Sequence, residues 1–145
     1  FKVFNLGNLP FSFTAGLHPY FKLNSLLETS VIGLEGSSCA NVYDVEQTRF
    51  ENEKLVFDQR PFETCFRGTP SLVLSEYGKS KLQLESTGFT HWMIWNPGEQ
   101  GALTLNDLPD EDWQQFICIE PILGEQITLN SGEVFTGTLE ITMKE

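Results

Sequence analysis

The sequence predicts an all-β fold. Three observations carry that expectation: short runs rich in Phe, Val, Ile, Leu and Thr recur between turn residues, several alternate apolar with polar side chains, and helical periodicity is almost absent. The segment Ser71–Tyr77, then Gly78-Lys79, then Lys81–Glu85 reads as a hairpin, because a glycine in a short polar turn takes the positive φ that reversal requires. Thr136 to Met143 alternates again and reads as a last strand. Helical signal is confined to Leu108–Gln115, where Pro109-Asp110-Glu111-Asp112 places carboxylates at the start of one turn. With no repeat, linker or low-complexity tract, residues 1–145 read as a single antiparallel unit.

Composition narrows the function. The chain of 145 residues is 40% hydrophobic, enough for a real core. Twenty acidic against nine basic residues give a formal charge of -11, which repels nucleic-acid phosphates and anionic lipid, so neither is an expected partner. Cys39, Cys65 and Cys118 are odd in number, widely spaced and free of CxxC pairing, which suggests neither a disulfide framework nor a thiolate zinc site and fits a reducing, cytoplasmic setting. There is no apolar run of membrane-spanning length and no signal-peptide pattern.

Three segments could carry chemistry. In Thr14–Phe21, His18 lies between a glycine-containing strand and Pro19, which forces extended backbone on its predecessor. A histidine so placed suits packing as well as proton transfer. In Trp95-Asn96-Pro97-Gly98 a strand ends in a turn, and the indole could wall a sugar face, though Trp95 as plain core explains the same residues. In Phe116–Pro121, alternation puts Phe116, Cys118 and Glu120 on one face, so Glu120 shares its side with apolar neighbours; dehydration there would raise its pKa. A strand-end glutamate bonded to backbone amides is the structural alternative. His91 sits in an apolar strand and is assigned no role. The acidic loop Asn106–Asp112 lacks the glycine and terminal glutamate of a calcium loop, and no metal site is expected.

Taken in order, His18-Pro19-Tyr20-Phe21, Trp95-Asn96-Pro97-Gly98, Phe116-Ile117-Cys118-Ile119-Glu120-Pro121 and Leu129–Glu133, with the opening Phe4-Asn5 and Leu9–Phe13, resemble the aldose 1-epimerase family, most closely its glucose-6-phosphate 1-epimerase branch. The resemblance implies an antiparallel β supersandwich of the galactose mutarotase type, with this chain its carboxyl-terminal half. It implies an isomerase that interconverts the α and β anomers of an aldohexose, more readily a 6-phosphate than free glucose or galactose, without cofactor or metal. By the same resemblance His18 is general acid at the ring oxygen and Glu120 general base at the anomeric hydroxyl, while Tyr20, Trp95, Asn96 and Arg67 contact substrate. The family carries an aspartate in the segment matched here by Phe62-Glu63-Thr64-Cys65-Phe66-Arg67, and Cys65 stands at its place. A thiol is no charged acceptor, so the alternative is a sugar-binding module without turnover. Exposed strand edges of a half-sandwich are expected to drive self-association.

Overall fold

The Tyr77-Gly78 reversal shows how local chemistry builds the sheets. Both residues have positive φ, 51° and 72°, the geometry of a two-residue hairpin turn whose twist matches its strands. The turn sits one residue earlier than the sequence suggests, and Lys79 already belongs to a strand, paired with Glu76.

The structure, a computed structural model, describes residues 1–41 and 44–144. Its strands are β1 (Lys2–Phe4), β2 (Phe11–Phe13), β3 (Tyr20–Lys22), β4 (Thr29–Ile32), β5 (Ser38–Asn41), β6 (Asp44–Arg49), β7 (Lys54–Val56) and β8 (Phe62–Arg67). They continue with β9 (Leu72–Glu76), β10 (Lys79–Thr87), β11 (His91–Asn96), β12 (Phe116–Ile122), β13 (Ile127–Leu129), β14 (Val134–Thr136) and β15 (Thr138–Met143). One sheet has the order β3-β12-β11-β8-β5-β6, a second β15-β10-β9-β4-β7, and two small sheets pair β1 with β14 and β2 with β13. Every pairing is antiparallel.

The two large sheets share one core. Phe66, Trp92, Ile94, Ile117 and Ile119 from the first meet Val31, Leu55, Leu72, Leu74 and Leu84 from the second. Alternation then sends Glu63, Cys65, His91, Met93, Trp95, Cys118 and Glu120 to the opposite face of the six-stranded sheet. That face carries the candidate site.

Three local expectations are corrected. The final run is two strands, split at Gly137, where a side chain would collide with the Phe89 ring. The helical turn near Leu108–Gln115 is a 3-10 turn over Asp112–Gln115, but Leu26–Glu28 forms another, and Gly98–Ala102 a short helix, α1, that periodicity cannot reveal in so few residues. The residues around His18 make only an isolated bridge, Gly16 to Ile122, rather than a strand. Among the described residues no helix is long and apolar enough to cross a membrane.

Candidate active site

Glu120 reaches the site because β12 is held on both sides. Met93 of β11 pairs with it, and beyond the end of β3 the irregular segment before His18 covers the strand's other flank. Leu17 N donates to Pro121 O at 3.1 Å and Leu123 N to Ala15 O at 2.8 Å. Pro121 is tolerated inside the strand because its missing N–H lies on the flank of its carbonyl, away from β11. Gly16 permits the close approach: a Cβ there would press on Ile122 Cγ2 at 2.7 Å. Pro19 then keeps His18 extended.

The result is a direct pair. His18 Nε2 lies 3.2 Å from Glu120 Oε1, with the imidazole 52% exposed and the carboxylate side chain 11% exposed. Burial, followed by the charge of Glu63, pushes the Glu120 carboxyl up to about 7. A cavity of about 330 Å³ opens beside the pair, lined by His18, Glu63, Met93, Trp95, Glu120 and Ile122. The His18 ring stacks on Tyr20 at 5.1 Å and meets Trp95 edge-on at 5.8 Å. Tyr20 is mostly exposed; burial of its hydroxyl and the nearby Cys118 and Glu120 push the phenol up, so it remains a neutral donor. The Cys118 thiol, fully buried, is pushed up by burial and by Glu120.

The other expected residues divide. Trp95 faces the cavity as expected. Asn96 does not: it is on the core face, 1% exposed, and a substrate contact is ruled out by its geometry. Its Nδ2 donates to Trp113 O at 2.8 Å and Phe116 O at 2.9 Å, while Oδ1 accepts from Gly98 N at 2.8 Å. Asn96 therefore ties the end of β11 to the start of β12, a long-range role that its turn-like sequence context conceals. Arg67 shares the cleft face at the end of β8, paired with His91 and lining a neighbouring cavity of about 510 Å³ with Thr90, His91 and Glu125 rather than the His18–Glu120 cavity.

Sequence reasoning missed Glu63, and it assigned His91 no role. Glu63 pairs with Trp95 and lines the His18–Glu120 cavity, putting a carboxylate two residues from Cys65 on the same face. Alternation from Cys65 would have found it. His91 Nδ1 lies 2.8 Å from Thr90 Oγ1, which accepts from Gly124 N, and burial, then Arg67, holds its pKa down.

Such a face sets an imidazole against a carboxyl, with a second carboxylate and an aromatic wall around one cavity, a set of groups able to exchange protons with a bound polar molecule. Among curated relatives, a Cenchrus ciliaris protein named "Putative glucose-6-phosphate 1-epimerase" is 26% identical over 141 residues, covering 95% of this chain and 43% of the relative. An Escherichia coli K12 protein of the same name is 24% identical over 113 residues, covering 76% and 38%. Among solved structures, a "putative mutarotase" from Salmonella typhimurium superposes with a TM-score of 0.76 at 15% identity, covering 93% of this chain and 47% of that one. A "Putative aldose 1-epimerase" from Escherichia coli K12 gives 0.72 at 16% identity, covering 99% and 54%. The chain thus spans less than half the length of these curated relatives. The family model described as "Aldose 1-epimerase" matches residues 1–142, and the chain belongs to the aldose 1-epimerase family.

Proposed function

We infer that this chain contributes the acid–base machinery for interconverting the α and β anomers of an aldohexose, with a hexose 6-phosphate as the preferred substrate class. The observation that carries the reading is the His18–Glu120 pair at 3.2 Å beside a cavity, with the carboxyl pushed to about 7. The substrate preference rests on the names of the curated relatives.

Ring opening of a hemiacetal needs a proton at the ring oxygen and removal of one from the C1 hydroxyl, two atoms on the same carbon. Adjacent groups can serve both. Glu120, ionised in part at neutral pH, takes the hydroxyl proton as the C1–O5 bond breaks, and His18 gives a proton to O5. Rotation about C1–C2 presents the other carbonyl face. Reclosure returns the O5 proton to His18 while Glu120 protonates the new hydroxyl, so both groups end as they began. Trp95 and Tyr20 pack against pyranose C–H groups, and Glu63 accepts from sugar hydroxyls in place of the absent aspartate.

The test is anomer exchange of glucose 6-phosphate, followed by NMR magnetisation transfer and compared with free glucose. His18→Ala and Glu120→Gln are each expected to slow the catalysed exchange by roughly 10²–10⁴-fold. Folded variants that exchange as fast as the parent chain would sink the assignment.

A second reading has its own observation. Cys65 pairs with Met93 on the cleft face, and burial pushes its thiol up, leaving it uncharged. On that reading the cleft binds sugar without turnover, giving saturable binding in calorimetry and exchange at the buffer rate.

A further inference from the structure

We propose that His18, Cys118 and Glu120 form an inhibitory binding site for a divalent, borderline-soft metal ion of the Zn²⁺ class. One nitrogen, one sulfur and one carboxylate oxygen from these residues all lie within 4.8 Å of one another. Metal binding rests on this geometry; the inhibition rests on the acid–base reading above.

Zinc bonds of about 2.0–2.3 Å place tetrahedral ligands roughly 3.5 Å apart. The His18–Glu120 separation of 3.2 Å already meets that spacing, and the thiol must close on its partners by at most about 1.3 Å. The half-exposed His18 ring can turn toward the thiol, and side-chain rotation of Cys118 and Glu120, whose backbones the strand fixes, closes the gap between those two. Two ligands come from one rigid element because they are two residues apart on the same face of β12. The third is delivered by the backbone bonds that hold Ala15 and Leu17 to Pro121 and Leu123.

The donor set selects the ion. Thiolate and imidazole favour Zn²⁺ over Mg²⁺ or Ca²⁺, which prefer oxygen. Three protein ligands leave a fourth position for water from the cleft. Glu63, on the same face, adds negative charge beside the site. Binding releases the thiol proton to solvent and engages the His18 nitrogen and the Glu120 oxygen, so neither can exchange protons with a sugar. The sequence hides this site because its ligands follow no paired-cysteine spacing: His18 is distant in the chain, and Cys118-Ile119-Glu120 reads as ordinary strand.

The experiment titrates the chelator-treated chain with Co²⁺ as a spectroscopic probe, followed by Zn²⁺ competition. One equivalent of Co²⁺ should produce a thiolate-to-metal charge-transfer band in the near ultraviolet, and Zn²⁺ should displace it. Cys118→Ala should abolish the band, Cys65→Ser should keep it, and His18→Ala, at a half-exposed position that leaves the core intact, should weaken binding by at least the roughly 10–100-fold that losing an outer-shell partner costs. In parallel, Zn²⁺ should slow anomer exchange of the parent chain, and Cys118→Ala should lose that sensitivity relative to its own chelated rate. Absence of a thiolate band, a band that survives Cys118→Ala, or unchanged affinity in folded His18→Ala overturns the site. Exchange at the buffer rate with chelator present overturns the epimerase reading instead, and the cobalt titration still decides the metal site.

Discussion

Glu120 and Glu76 are both buried carboxylates, and their neighbours drive them in opposite directions. Around Glu120 there is burial and the charge of Glu63, which together raise it to about 7. Burial also pushes Glu76 up, but a salt bridge from Lys81 at 2.8 Å and amide donors from Ser25 and Asn24 outweigh it and bring the carboxyl down to about 2. One is tuned to release a proton near neutrality, the other to stay charged while it anchors a loop. If Glu120 is the base, kcat/KM rises with pH through about 7, because only the ionised form accepts a proton. In Glu63→Gln the acid limb should move to lower pH, by a few tenths of a unit up to about one, since burial is the larger cause and remains. A pH–rate profile of the two proteins checks this. An unmoved limb would show that Glu63 does not act on Glu120.

At the scale of elements, the site depends on a seam between β12 and a segment that is barely a strand. Gly16 is its closest approach, and Ile122 is β-branched and stiff, so it cannot swing aside for a new Cβ. Gly16→Val is expected to push the His18 segment off β12. A displacement of about 1 Å costs on the order of 10²-fold in rate, and overpacking costs roughly 1–3 kcal/mol in stability. Anomer exchange and thermal unfolding measured together separate the two effects, because the rate loss should exceed what the unfolded fraction explains. Asn96 governs the other end of the same strand through its bonds to Trp113 and Phe116. The turn motif is thus structural at Asn96 and lines the cleft at Trp95, one residue away on the opposite face.

For the whole molecule, the two carboxylates shape stability against pH. The pKa of Glu76 falls on folding, from the usual 4.5 to about 2, so its contribution of about 3 kcal/mol is present above pH 4.5 and is lost as pH drops toward 2. The pKa of Glu120 rises from 4.5 to about 7, so the folded state binds the extra proton, and a similar contribution is present below 4.5 and lost as pH rises to 7. Chemical denaturation across pH should therefore show a maximum near 4.5–5. Glu120→Gln should flatten the alkaline side and Glu76→Gln the acid side. An alkaline slope unchanged in Glu120→Gln would contradict the raised carboxyl.

Much of this was legible in the chain itself. Strand alternation needs only the two-residue period, so the all-β class, the hairpin joining Ser71–Tyr77 to Lys81–Glu85, though with its turn one residue late, and the shared face of Phe116, Cys118 and Glu120 follow from local pattern. The motif order His18, Trp95, Glu120 marked the family. What local pattern cannot carry is which strands become neighbours. Register across β8, β11 and β12 decides that Glu63 stands beside Glu120 and that Arg67 falls level with His91 and Ile122. The reversal after Trp95 decides that Asn96 is spent on backbone carbonyls. Distances between residues far apart in sequence, and the burial that sets a carboxyl near 7, arise only when the sheet assembles, because both depend on what packs across the chain rather than along it.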